Sequence, residues 1–274
     1  MRIDSHHHFW KYDPVNYAWI DESMKVIRND YVPEVLEPVL KSANIDGCVS
    51  VQADQTEAET NRLLNFAEKN DFIKGVVGWV DLRADNIEER LEHFSQYKLL
   101  KGMRHVVQGE PDDFMLGTEF QNGISHLHEY GMVYDILVFP TQLKASIALA
   151  EKFPDQPFVL DHIAKPYIKD KKIDGWAEEI KILAQSPNVQ CKVSGMVTEA
   201  DWTNWKEAEF TPYLDVIFEA FGVDRVMYGS DWPVCLVASE YNRMLSIVEN
   251  YISKYSDADK AKVMGENAMS FYSL

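Results

Sequence analysis

Short β-branched or apolar runs alternate along this chain with longer amphipathic stretches. The runs predict strands over residues 2–6, 47–51, 75–80, 102–106, 132–138, 158–162, 189–194 and 225–229. Between them the spacing predicts helices over 57–70, 88–97, 121–130, 141–153, 176–185 and 211–221. Thr56-Glu57-Ala58-Glu59 has the form of a capping box at the start of the first of these. Gly131 and Gly222 sit where helix stops are expected. No linker, charge block, low-complexity segment or repeat interrupts the rhythm.

Strands alternating with helices are the pattern of parallel βα units. Left open, such units give a doubly wound sheet; eight of them closed on themselves give a barrel. The count of eight favours closure, as do the polar residues at the carboxyl ends of several strands, because a barrel brings those ends to one mouth. An open sheet would carry a glycine-rich phosphate loop after an early strand, and there is none. The expected fold is therefore α/β, a single (β/α)8 TIM barrel over residues 1–274, a usual size for one such domain.

Composition narrows the function. No stretch of about 18 uninterrupted apolar residues is present, so no transmembrane helix is expected. The opening MRIDSHHHFW lacks the plan of a signal peptide. Cys48, Cys191 and Cys235 are odd in number, far apart and set in apolar runs, which predicts buried packing thiols and a cytoplasmic protein. A net charge of −17 argues against nucleic acid and against an anionic membrane surface. A small anionic substrate would need local cations, and only Arg83, Arg104 and Lys165 lie near predicted strand ends.

The first strand carries Asp4-Ser5-His6-His7-His8. Strand side chains alternate, so His6 and His8 share a face and His7 takes the other. If that face is the barrel interior, two imidazoles meet at the mouth and suit a divalent metal or a substrate carbonyl. A tag remnant would be longer and not embedded between MRID and FW; ordinary strand residues are the bland alternative. The sixth strand ends in Asp161-His162 before Lys165-Pro166, and the eighth in Gly229-Ser230-Asp231-Trp232, where an acid can bind metal or deprotonate water. The fourth supplies Arg104, whose planar fork can hold a substrate oxygen or serve a surface salt bridge. Gln52, Trp79, Asp81 and Asp135 are further rim candidates. Trp10, Trp79 and Trp232 can stack on a sugar face or simply pack in the core. The loop over residues 107–117 is either a lid or an acidic solvated loop.

With IDSHHHFW, KGMRHVVQGEPDDFM, VLDHIAKP and YGSDWPV in this order, the chain resembles the amidohydrolase superfamily. Within it, the chain resembles the sugar-acid lactonase branch (fuconolactonase-like and rhamnonolactonase-like proteins), with the pyrone-dicarboxylate lactonase more distant. The resemblance implies catalytic roles for His6, His8, His162 and Asp231, with Asp231 handling the nucleophilic water. It departs from binuclear members, since the fourth strand offers Arg104 in place of a bridging lysine or acid and the fifth offers Tyr134 and Asp135 with no histidine. The implied cofactor is one divalent metal, zinc, on His6, His8, His162 and Asp231, or else none, with the histidines polarising the carbonyl directly. The implied reaction is hydrolysis of a small lactone such as L-fuconolactone or L-rhamnonolactone, bound by Arg104, Gln52, Trp79, Trp232 and Lys165. Two alternatives stand beside it: a metal-dependent decarboxylase of an aromatic or muconate-type acid, and a sugar-binding barrel without turnover. A homo-oligomer is left open.

Overall fold

A computed structural model describes all 274 residues. Its strands are β1 (Ile3–His7), β2 (Gly47–Val51), β3 (Ile73–Gly78), β4 (Leu100–Val106), β5 (Val133–Leu137), β6 (Phe158–Leu160), β7 (Val189–Val193) and β8 (Val226–Tyr228). They form one parallel sheet in the order β1 through β8. The edges meet at the carboxyl end: the His8 amide donates to the Trp232 carbonyl at 2.7 Å and the Asp231 amide to the His6 carbonyl at 2.8 Å. The sheet is thus a nearly closed barrel, and the open-sheet alternative falls.

The helices are α1 (Pro33–Ser42), α2 (Glu57–Lys69), α3 (Ile87–Ser95), α4 (Thr118–Leu127), α5 (Leu143–Lys152), α6 (Trp176–Leu183), α7 (Thr211–Phe221), α8 (Tyr241–Ile252), α9 (Asp257–Ala261) and α10 (Asn267–Tyr272). None is long and apolar enough to cross a membrane. Helices α1, α8, α9 and α10 lie outside the predicted stretches; α1 has a proline inside it, Pro38, which breaks the sequence signal for a helix. Thr56 caps α2, its hydroxyl accepting from the Glu59 amide at 3.2 Å, but Glu59 does not complete the box. Its carboxylate instead accepts the amides of Ala53 and Asp54, fixing the β2–α2 loop.

Two cores result. Helix-facing residues such as Leu36, Leu63, Leu91, Ile124, Leu149, Ile180, Ile217 and Val248 pack against the outside of the sheet. Inside, Ile3, Val49, Val51, Val77, Val133, Val159 and Met227 fill the barrel floor, and Ala268 and Tyr272 of α10 pack with them. Ile3 and His6 both serve the interior although they lie three positions apart, which strict alternation forbids. A register shift between Asp4 and His7 absorbs the difference. Asp4 fixes this irregularity: it accepts the His6 amide at 3.2 Å, the Ser230 amide at 2.9 Å and the Tyr241 hydroxyl at 2.9 Å.

Replacing Asp4 with Ala leaves these buried donors unpaired and is expected to destabilise the fold by roughly 2–4 kcal/mol, read by denaturant unfolding. Cys48, Cys191 and Cys235 are unbonded and fully buried, and burial pushes all three thiols up. A thiol-reactive dye should label none of them in the native protein and all of them after denaturation.

Candidate functional site

The polar strand ends converge at the carboxyl face of the barrel. Strand β6 stops at Leu160, earlier than predicted, and the chain then passes through four left-handed residues: His162, Ile163, Ala164 and Lys165, with φ of 54°, 49°, 59° and 48°. Such a run costs roughly 1–2 kcal/mol per residue, a strain typical of functional sites. Its effect is to aim His162 into the mouth from a turn, not from a strand. Asp231 is also left-handed, at 57°. Glycines make room: a Cβ on Gly195 would lie 2.6 Å from His162 Nδ1, and one on Gly229 would lie 2.7 Å from His6 Cβ.

Asp231 Oδ1 lies 3.3 Å from His8 Nε2, 3.8 Å from His162 Nε2 and 4.0 Å from His6 Nε2. The Nε2 atoms of His6 and His8 are 3.3 Å apart. All four sequence-selected residues therefore share one buried cluster. His7 takes the opposite side, with its ring against Phe9. Burial would raise the Asp231 carboxyl, but the His162 and His8 imidazoles and Lys165 outweigh it and hold it below the usual carboxylate range. Burial also pushes His6 and His162 well below the ordinary histidine value.

Beneath this cluster lies a charged layer. Arg104 Nη1 donates to Asp161 Oδ2 at 3.1 Å and stands 3.3 Å from His6 Nε2, while Nη2 donates to the Gln52 carbonyl. Most of its fork is therefore spent on the protein itself. Lys192 on β7, absent from the sequence reading of the site, is fully buried. Its ammonium meets Asp135 Oδ2 at 2.5 Å, Asp161 Oδ1 at 3.0 Å and His6 Nδ1 at 3.1 Å. The Tyr272 hydroxyl reaches both Asp135 oxygens at 3.0 Å.

The remaining candidates divide. Lys165 pairs with Glu199 at 2.8 Å, beside Thr198 at the rim. Gln52 is buried, its amide nitrogen on the Arg104 carbonyl at 3.0 Å and its Oε1 without a protein partner. Trp79 is half-buried and donates to His105 Nδ1 at 3.4 Å; His105 Nε2 in turn meets Glu110 at 3.0 Å. Trp232 is 2% exposed and packs edge-on against Tyr31, and Trp10 is likewise enclosed, so both stand in the wall and offer no open face. Asp81 pairs with Arg83 away from the cluster, at 3.1 Å. The 107–117 loop is not wholly solvated: Met115 is buried and Phe114 stacks on His105 at 4.9 Å.

The donor chemistry fits a single divalent cation. His8 Nδ1 lies 2.8 Å from the Val51 carbonyl, which only accepts, so Nδ1 carries the proton and Nε2 a lone pair. When His6 carries its proton on Nδ1, two imidazole lone pairs and a carboxylate oxygen face one point with no proton between them. Two of their three spacings, at 3.3 Å, match the edges, about 3.4 Å, of a tetrahedron with bonds near 2.1 Å, while the third, His6 Nε2 to Asp231 Oδ1, is wider at 4.0 Å. A second grouping, His6 with Asp161 and His162, is less suited because Arg104 and Lys192 already occupy Asp161.

A family model described as amidohydrolase matches residues 3–274. The chain is 38% identical to an L-fucono-1,5-lactonase of Burkholderia multivorans, covering 100% of this chain and 96% of that protein. It is 32% identical to the L-fucono-1,5-lactonase of Burkholderia ambifaria, with 100% and 96% covered. A crystal structure of an amidohydrolase from Burkholderia multivorans with bound zinc superposes with a TM-score of 0.97 at 38% identity, covering 100% of this chain and 99% of that one. With its barrel, its ordered motifs and these full-length matches, the chain belongs to the amidohydrolase family.

Proposed function

We propose that this chain hydrolyses the ring ester of a sugar-acid lactone, with L-fucono-1,5-lactone as the lead substrate. The observation that carries the reading is a buried, ionised Asp231 surrounded by three imidazoles at the barrel mouth. The full-length relatives support the substrate class and do not favour the decarboxylase or the inactive binding barrel.

Asp231 takes a proton from water as the water oxygen bonds to the ester carbonyl carbon. Negative charge then develops on the carbonyl oxygen, beside His6 and the Arg104 guanidinium, whose fixed positive charge stabilises it. The ring carbon–oxygen bond breaks, and Asp231 returns its proton to the departing ring oxygen, giving the open hydroxy acid. His162 lies along the same carboxylate, with its Nδ1 held by the Ser194 hydroxyl at 2.8 Å. The residues suited to hold a cation are His6, His8 and Asp231, with His162 beside them; two imidazoles and a carboxylate suit zinc. When bound, such an ion supplies Lewis-acid polarisation of the carbonyl and a more acidic water. Gln52, Trp79 and the Lys165–Glu199 pair contact the sugar hydroxyls. Arg104, Lys192 and Lys165 are each matched by a carboxylate, which favours a neutral polyhydroxy ring over a dicarboxylate.

Asp231→Asn is expected to lower kcat by roughly 10²–10⁴-fold with an unchanged circular dichroism spectrum, and activity within threefold of the parent would refute the assignment. A pH-indicator assay over a lactone panel should rank L-fucono-1,5-lactone or a close stereoisomer above any dicarboxylate lactone. Equilibrium dialysis should find one zinc ion per chain, lost in His8→Ala.

A further inference from the structure

Trp79 is fixed at both ends. Its backbone amide donates to the Thr60 hydroxyl at 2.8 Å, and that hydroxyl donates in turn to the Trp79 carbonyl at 2.9 Å. Its indole Nε1–H donates to His105 Nδ1 at 3.4 Å, while His105 Nε2 lies 3.0 Å from Glu110 Oε1. A carboxylate accepts and an indole N–H donates, so both partners ask for the same neutral imidazole, with its proton on Nε2 and its lone pair on Nδ1. Burial pushes His105 below the ordinary histidine value, which favours that neutral form. The imidazole is held in place: Phe114 stacks on it at 4.9 Å and Phe120 meets it edge-on at 6.2 Å. Glu110 is held too, because Gln142 Nε2 donates to the carbonyls of Val107 and Glu110, at 2.8 Å and 3.1 Å.

The clamped ring belongs to the mouth. Val77 lies in the barrel floor, and strand alternation brings Trp79 to the same face, one step nearer the opening. The register Gly78↔Met103 puts it level with Arg104, whose guanidinium stands 3.3 Å from His6 Nε2. Unlike Trp10 and Trp232, it is half-buried and keeps an open surface. We propose that His105 and Glu110 are positioning residues for substrate recognition: the segment between β4 and α4 holds the Trp79 indole at one angle, and so presets a stacking face for the ring of a neutral sugar lactone. The 107–117 loop is then a fixed part of the binding wall, tied to the site through one imidazole. The inference rests on the lactonase reading of the site and deepens it by naming what orients the sugar face. His105 acts through Trp79.

The test is proton–nitrogen NMR of the tryptophan indoles together with lactone kinetics. Trp79 is identified as the indole signal missing in Trp79→Phe. In His105→Leu that signal should move upfield and its proton should exchange faster with water. KM for L-fucono-1,5-lactone should rise roughly 5–30-fold with kcat nearly constant, as when binding common to substrate and transition state is lost. His105→Asn, whose amide oxygen takes the place of Nδ1, should restore both the signal and KM to near those of the parent. In a Trp79→Phe background, which has no indole N–H, His105→Leu should change KM by less than about twofold. If His105→Leu does not fold, Glu110→Ala decides by the same two readouts, since without the carboxylate the imidazole proton is free to shift to Nδ1 and face the indole. An indole signal unmoved by the variant overturns the proposal, as does a KM rise of equal size with and without Trp79. Because the indole is read without substrate, failure of the clamp and failure of the lactone assay are separate results.

Discussion

Arg104 and Lys192 carry two positive charges in the barrel interior, where an unpaired ion costs several kcal/mol. Everything above them depends on cancelling that charge. Asp135 from β5 and Asp161 from the end of β6 supply two carboxylates, and the hydroxyl of Tyr272 satisfies Asp135 from below. Burial alone would raise Asp161, but Lys192 and Arg104 bring it below the ordinary carboxylate range. Two cations and two anions thus sum to zero, and Lys165 is cancelled by Glu199 at the rim. The charge left over is the single negative one on Asp231, set among three imidazoles. That surplus is what a general base or a cation site requires. It exists only because the layer beneath is closed.

Much of the barrel was legible because parallel strands buried on both faces read as short apolar runs. β2 matches its predicted span, β7 is one residue shorter at its end, and β1 is shifted by one residue. The departures have physical causes. β6 and β8 end early because the chain leaves the sheet for left-handed turns, and no glycine in Asp161-His162-Ile163-Ala164-Lys165 announces one. The irregularity in β1 depends on Asp4 reaching an amide two residues on and a hydroxyl 237 positions away, which local periodicity cannot reveal.

The site divides in the same way. His6, His8, His162 and Asp231 were legible as polar residues that end apolar runs. Lys192 was readable in principle, since a lysine between Cys191 and Val193 in a buried strand must point somewhere polar. Arg104 was seen, but its burial against Asp161 was not, because the pairing joins β4 to the end of β6. Trp232 follows the acid in sequence yet turns into the wall, where its carbonyl closes the barrel on His8. Glu199 belongs to a loop with no periodic signal. Residues that act through a partner far along the chain are the ones sequence reading loses.

The charge balance also bears on how a sugar ring would be told from its stereoisomers. With every cation at the mouth matched, affinity for a neutral lactone must come from hydroxyl hydrogen bonds and from an aromatic face. Two rim pairs combine a donor with an acceptor: Lys165 with Glu199, and Trp79 with the His105–Glu110 couple. A hydroxyl both donates and accepts, so a pair of this kind reads its orientation more sharply than a lone charge does. Moving one hydroxyl from an equatorial to an axial position would leave a half-buried donor or acceptor unpaired, a penalty of about 1–3 kcal/mol. On the proposed function, selectivity among sugar lactones would arise at the rim, while the buried layer that sets Asp231 would remain the same for all of them.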